Sequence, residues 1–149
     1  MSGRTTATWT VTIDRPPAEV FDYLSDVRKH AEWSPKPDRV EGVTAPVTTG
    51  DSFTSIGSMP YDKNHRNDVT VSECTAPNRL VLDATEKGEH FINTFDLTPQ
   101  NGGTLLTRTM DSPTPGAPLS LIFPLIMKVF ISPDVQKGLN NLKANLGRS

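Results

Sequence analysis

"VTIDRPPAEVFDYLSDVRKHAEWSP", residues 11–35, changes its periodicity at Asp14, and that change decides how the rest of the chain is read. Up to that point Trp9, Val11 and Ile13 alternate with Thr8, Thr10 and Thr12, the period-two pattern of a half-buried strand. Asp14 and the pair Pro16–Pro17 end it. Pro17 then suits the first position of a helix, where a missing N–H costs nothing, and Glu19 falls in the first turn. Val20, Phe21 and Leu24 follow at helical spacing, so residues 16–27 read as an amphipathic helix. A second short helix over "VRKHAEW", residues 27–33, is expected to end before the turn "SPKP".

Beyond Val40 the pattern becomes short alternating runs separated by turn signals, which predicts a meander of antiparallel strands. The strands are expected near residues 40–43, 52–58, 66–74, 79–86, 89–98 and 104–111. Between them lie "TTGD", the stretch around "GSMPYDKN", "TAPN", "EKGE" and "PQNGG". The last element begins with "LSLIFPLIMKVFI", residues 119–131. Leu119, Ile122, Phe123, Ile126, Met127 and Phe130 form a helical stripe, and Leu121, Leu125 and Val129 form a second apolar row. A helix apolar on most sides needs more than one neighbour. After Pro133, where a kink is expected, Val135, Leu139, Leu142 and Leu146 continue as a plain packing stripe.

Composition narrows the function classes. A chain of 149 residues fits one domain, expected to span 1–149, and can bury a core without staples. A single cysteine, Cys74, forms no internal disulfide and reads as a small buried hydrophobe. A net charge of -2 from interspersed acids and bases offers no footprint for nucleic acid. The apolar run is too short for a spanning helix, which needs about 20 residues, and "MSGRTTATWT" lacks the apolar centre of a signal peptide. No transmembrane segment and a cytoplasmic location are therefore expected. No nucleophile elbow, phosphate loop, zinc motif or dinucleotide fingerprint occurs, and His30, His65 and His90 lack metal-ligand spacing. Neither a metal nor a cofactor is expected.

The order strand, helix pair, sheet, long helix resembles the START-like helix-grip superfamily (SRPBCC), and most closely its polyketide cyclase/dehydrase-type branch. The stretches that carry the resemblance are residues 11–35, the "GDSF" entry at 50–53, "VTVSECTAPNRLVL", "TFDLTPQNGGTLLTRT" and the closing "GLNNLKANL". It implies an α+β fold in which a curved antiparallel sheet of about seven strands wraps a long C-terminal helix, with two short helices after the first strand. It also implies a cavity for an apolar ligand between sheet and helix. A tryptophan recurs in the family where Trp33 stands; it packs on the sheet and borders the cavity.

Alternation assigns the inward face. On one strand Phe91, Phe95 and Leu97 share a face with Asn93, leaving His90 outward. On the next, Leu106 and Met110 face in with Arg108, although Leu105 makes that strand ambiguous. Leu80, Leu82 and Ala84 carry Glu86 inward; Asn67, Val69 and Val71 come from another strand, and Phe53 and Ser55 from another. The expected lining is thus Trp33, Phe53, Asn67, Val69, Val71, Leu82, Phe91, Asn93, Phe95, Leu106, Arg108 and Met110, together with Phe123, Met127 and Phe130 of the final helix. A buried guanidinium needs compensation, so Arg108 should pair with Glu86, reach solvent or anchor a ligand anion. Asp26 and Asn78 read as local capping residues.

Apolar walls with sparse polar groups suit a small-molecule pocket. The leading expectation is a module that binds or carries a lipid, isoprenoid or polyketide-like molecule. The alternative is a polyketide cyclase or dehydratase acting in the same cavity, so that enzyme status stays open because one fold hosts both. A third reading gives the apolar helix to peripheral membrane or protein contact. The expected assembly is a monomer or weak homodimer.

Overall fold

The computed structural model describes residues 3–34, 39–44, 46–59 and 62–147. Strand β1 (Arg4–Ile13) leads into α1 (Pro17–Ser25), and a 3-10 turn (Val27–Lys29) runs into α2 (His30–Trp33). Strands β2 (Arg39–Glu41), β3 (Ser52–Met59), β4 (Asp62–Thr75), β5 (Arg79–Glu86), β6 (Glu89–Gln100) and β7 (Gly103–Pro113) follow. The chain finishes with a 3-10 turn (Leu119–Leu121), α3 (Phe123–Ile126), a π-helical turn (Met127–Ile131) and α4 (Ser132–Gly147). Residues 35–37 of the expected "SPKP" turn lie outside the described residues, as does the 60–61 portion of the turn between β3 and β4.

The seven strands form one curved antiparallel sheet in the order β1-β7-β6-β5-β4-β3-β2. Consecutive strands from β2 to β7 are neighbours, and β1 closes the far side by pairing with β7 from Arg4↔Pro113 to Ile13↔Thr104. Two hairpin turns set the register of the centre. Lys87 and Gly88 (φ 51° and 80°) join β5 to β6, and Asn101 and Gly102 (φ 51° and 81°) join β6 to β7. Two successive positive-φ residues match the twist of antiparallel strands, a conformation that asparagine and glycine tolerate. Gly103 meets a different demand. A Cβ there would lie 2.5 Å from the Ile13 carbonyl oxygen, so β7 starts against the end of β1 only without a side chain.

With that register, Leu97 stands opposite Leu106, and Phe95 stands opposite both Arg108 and Leu80. Leu106 is fully buried, which settles the ambiguous strand and sends Arg108 inward. The core is Ile13, Val20, Leu24, Val27, Leu80, Leu106, Leu139 and Leu142, all without solvent exposure. Each such aliphatic side chain contributes roughly 1.5–3 kcal/mol on burial. Helix α4 packs on β1 and on α2, and α1 crosses β6 and β7.

The joint between α1 and α2 is polar and buried. Arg28 donates to both carboxylate oxygens of Asp26 at 2.7 Å and to the Thr44 carbonyl, tying the helices to the segment that precedes β3. The hydrogen bond from Arg28 holds the Asp26 carboxyl below the usual range despite its burial. His30 donates from Nε2 to the Leu24 carbonyl at 3.0 Å. Burial lowers its pKa from 6.5 to about 4, which keeps the ring neutral.

The proximal part of the C-terminal helix differs from expectation. Residues 119–131 pack extensively only on neighbouring turns of their own helix among the described residues. Leu121 is 80% exposed and Phe130 68%. Phe123, Ile126 and Met127 are half-buried. The cause is a loss of phase. A π turn closes its hydrogen bonds five residues apart rather than four, so the rows from Leu119 to Ile131 fall out of line with Val135, Leu139 and Leu142. Only the distal half is gripped.

The two halves should therefore respond differently to truncation. Leu139→Ala is expected to cost about 2–5 kcal/mol in urea unfolding, whereas Leu125→Ser should stay within about 0.5 kcal/mol of the parent. Equal losses would contradict this division. His30 supplies a pH signature. Its folded pKa lies below its unfolded one, so its stabilisation is intact above pH 6.5 and is lost as pH falls towards 4, by about 3 kcal/mol in all. His30→Gln, which keeps a donor for Leu24, should flatten the stability profile across that window.

Candidate functional site

Where α4 does not reach, the concave face of the sheet borders a partly open cavity of about 370 Å³, within the range of small-molecule pockets. Its walls follow the strand period. Phe53, Ser55 and Gly57 come from β3, His65, Asn67 and Val69 from β4, Leu82, Ala84 and Glu86 from β5, Phe91, Asn93 and Phe95 from β6, and Arg108 and Met110 from β7. Val40 of β2 closes one side, and His30, Trp33 and Ser34 close the helical side.

Trp33 is the hub of the helical wall. Its ring meets Phe95 edge-on with centroids 6.3 Å apart and His30 at 5.0 Å. Helix α4 fixes this wall through side-chain amides. Asn141 Nδ2 donates to the Trp33 carbonyl, and Asn145 Nδ2 donates to the Glu32 carbonyl and the Tyr23 hydroxyl. Two residues of the cavity wall each carry a buried polar atom with no hydrogen-bond partner among the described residues: Trp33 Nε1, a donor, and Asn67 Oδ1, an acceptor. Such orphans are uncommon, because leaving a buried polar group unpaired costs about 1–3 kcal/mol.

Two charged groups face this space. On β4 and β5, His65 Nε2 lies 2.7 Å from Glu86 Oε1, with both side chains largely covered. On β6 and β7, Arg108 donates from Nε at 3.1 Å and from Nη2 at 2.8 Å to the same oxygen, Asn93 Oδ1. Arginine has no acceptor, so the amide of Asn93 must turn its oxygen towards it. The guanidinium also stands 5.3 Å from the centre of the Phe95 ring, a favourable cation–π distance. Burial pulls the Arg108 pKa down to about 10. After burial and the Leu24 hydrogen bond, the charge of Arg108 is a further influence on His30 and helps to hold its pKa down. Arg108 meets no carboxylate among the described residues. The Arg108–Glu86 pair that the sequence allowed does not form, because Glu86 lies two strands away and is held by His65.

Of the lining expected from sequence, Trp33, Phe53, Asn67, Val69, Leu82, Phe91, Asn93, Phe95, Arg108 and Met110 face the cavity. Val71 and Leu106 are buried in the core outside it. Phe123, Met127 and Phe130 do not line it, and the helical half that carries them makes no extensive contact with the sheet among the described residues. His30 and His65 were not anticipated. His30 is three residues before Trp33 and so shares its helical face, and His65 extends the alternation of Asn67, Val69 and Val71 by one step; either signal was present in the sequence. His90 points away from the cavity and contacts Asp83 at 2.9 Å. Cys74 is partly buried and donates to the Val47 carbonyl. No cluster of three or more histidine, cysteine or acidic side chains suited to a metal occurs among the described residues. Nor is any helix among them long and apolar enough to cross a membrane.

Known structures share this architecture. The di-domain ARO/CYC BexL of the BE-7585A biosynthetic pathway superposes with a TM-score of 0.76 at 16% identity, covering 98% of this chain and 51% of its own. StfQ, the di-domain ARO/CYC of the steffimycin biosynthetic pathway, gives 0.75 at 16% identity, with 95% of this chain and 50% of its own covered. Ms6760 from Mycobacterium smegmatis gives 0.69 at 15% identity over 97% of this chain and 91% of its own. The chain thus spans about half of each di-domain protein and most of Ms6760. At these identities the likeness establishes the fold. No curated protein matches the sequence. The family model described as "Polyketide cyclase / dehydrase and lipid transport" matches residues 4–147, and the chain belongs to that family.

Proposed function

We propose that the chain acts as one unit, residues 1–149, that binds a hydrophobic small molecule between the sheet and the helical wall. The observation that carries this reading is the cavity itself, whose mostly apolar wall includes two residues with a buried polar atom that has no partner among the described residues, Trp33 Nε1 and Asn67 Oδ1. A dry core of the same residues would leave both unsatisfied; a ligand that offers an acceptor to one and a donor to the other relieves both. Family membership supports the same ligand class.

A second reading, cyclase or dehydratase chemistry, rests on His65 and Glu86. An imidazole 2.7 Å from a carboxylate on a cavity wall is an arrangement that can take a proton from a carbon beside a carbonyl and return it to a departing hydroxyl. Dehydration would release the two as water. The apolar walls would contribute by holding a flexible chain in one reactive conformation.

Three variants test these readings. Ala84→Trp fills the cavity from its wall and should weaken binding of an apolar probe such as decanol by about tenfold or more in calorimetry, while Leu125→Ser on the exposed helix leaves it unchanged. Equal affinity for Ala84→Trp and the parent would remove the cavity as the binding site. Once a bound molecule supplies a substrate, Glu86→Gln should retain binding and lower turnover by about a hundredfold or more; undiminished turnover would end the second reading.

A further inference from the structure

Arg108 is the one guanidinium on the cavity wall among the described residues, and its surroundings do not balance its charge. Of its five N–H donors, two are accepted by Asn93 Oδ1. The other three have no protein acceptor among the described residues. One face lies near the Phe95 ring, and His30, a titratable group on the same wall, is held neutral in part by Arg108 itself. Glu86, the sole carboxylate on the wall among the described residues, is taken by His65. A protein that buries a cation normally supplies an anion or several neutral acceptors, because an uncompensated charge in an apolar site is costly. Here the strand register places one neutral amide oxygen beside it, at a residue that lines the cavity.

We infer that the ligand is an amphipathic monoanion whose carboxylate docks on the free N–H donors of Arg108 while its apolar body lies along Phe53, Val69, Leu82 and Phe91. This rests on the ligand-binding reading above and names the class of molecule. The planar fork of a guanidinium matches a carboxylate through two parallel hydrogen bonds. A phosphate monoester carries about -1.5 to -2 charges near neutral pH and would leave charge unmet at a site with one cation. The selection is therefore for a carboxylic acid over a lipid phosphate headgroup. Asn93 acts as a positioning residue, since its oxygen fixes the plane of the fork.

Calorimetry with decanoate, decanol and decyl phosphate at about pH 8, where the acid is ionised, tests the inference. The parent protein is expected to bind decanoate about ten- to a hundredfold more tightly than decanol, with decyl phosphate weaker than decanoate. In Arg108→Met the ratio of decanoate to decanol affinity should fall to about one, because the methionine keeps the apolar stem and removes the donors. Equal affinity of the parent for decanoate and decanol would overturn the inference and leave the hydrophobic site standing. A preference that survives Arg108→Met would overturn it too, as would tighter binding of decyl phosphate than of decanoate. Binding of none of the three would remove both this inference and the ligand-binding reading. The parent comparison stands alone if the variant does not fold.

Discussion

A helix is about 10 Å wide, whereas seven strands spaced about 4.8 Å apart span roughly 29 Å, so one gripped helix cannot cover the inner face of this sheet. That mismatch shapes the rest of the molecule. Helix α4 takes the β1 side, α1 takes part of β6 and β7, and α2 is fastened to α4 through Asn141 and Asn145. What stays uncovered, from β3 across to β7, becomes the cavity. Fixing α2 against α4 also fixes Trp33 over Phe95, and so defines how deep the cavity runs.

A largely apolar wall raises the energetic stakes of every polar atom buried in it. The protein answers differently at different places. At His65 and Glu86 it pairs a base with an acid. At His30 it keeps the ring neutral and satisfies one nitrogen with a backbone carbonyl. At Arg108 it supplies only an amide oxygen and an aromatic face. Beside them, Trp33 Nε1, Asn67 Oδ1 and three N–H groups of Arg108 have no partner among the described residues, and those are what distinguish the space from a packing defect.

Much of this was legible in the sequence because strand alternation is local. Once the hairpins at Lys87–Gly88 and Asn101–Gly102 fix the register, Phe91, Asn93 and Phe95 must share a face with Leu82 and Arg108. Alternation does not say where along a strand the cavity stops. Val71 and Leu106 share that face yet lie in the core, because the landing points of the helices, set by contacts distant in sequence, decide which residues are covered. The final helix is present as expected, but the placing of Phe123, Met127 and Phe130 on the cavity wall fails for a related reason. The hydrophobic row from Phe123 to Phe130 reads as lining only if the helix is regular, and the π turn at Met127–Ile131 breaks its phase with α4. His65 was missed because its strand begins earlier, at Asp62, than the alternation from Arg66 suggested.

The central claim is that the space beneath Trp33 holds a molecule. Native mass spectrometry of the protein isolated from its own host, followed by extraction and identification of what is released, tests it most directly. The account predicts a stoichiometric mass increment that disappears on denaturation and a released compound that is apolar and bears a single carboxylate. A mass equal to that of the bare chain, together with no binding across a panel of apolar acids and alcohols, would contradict it.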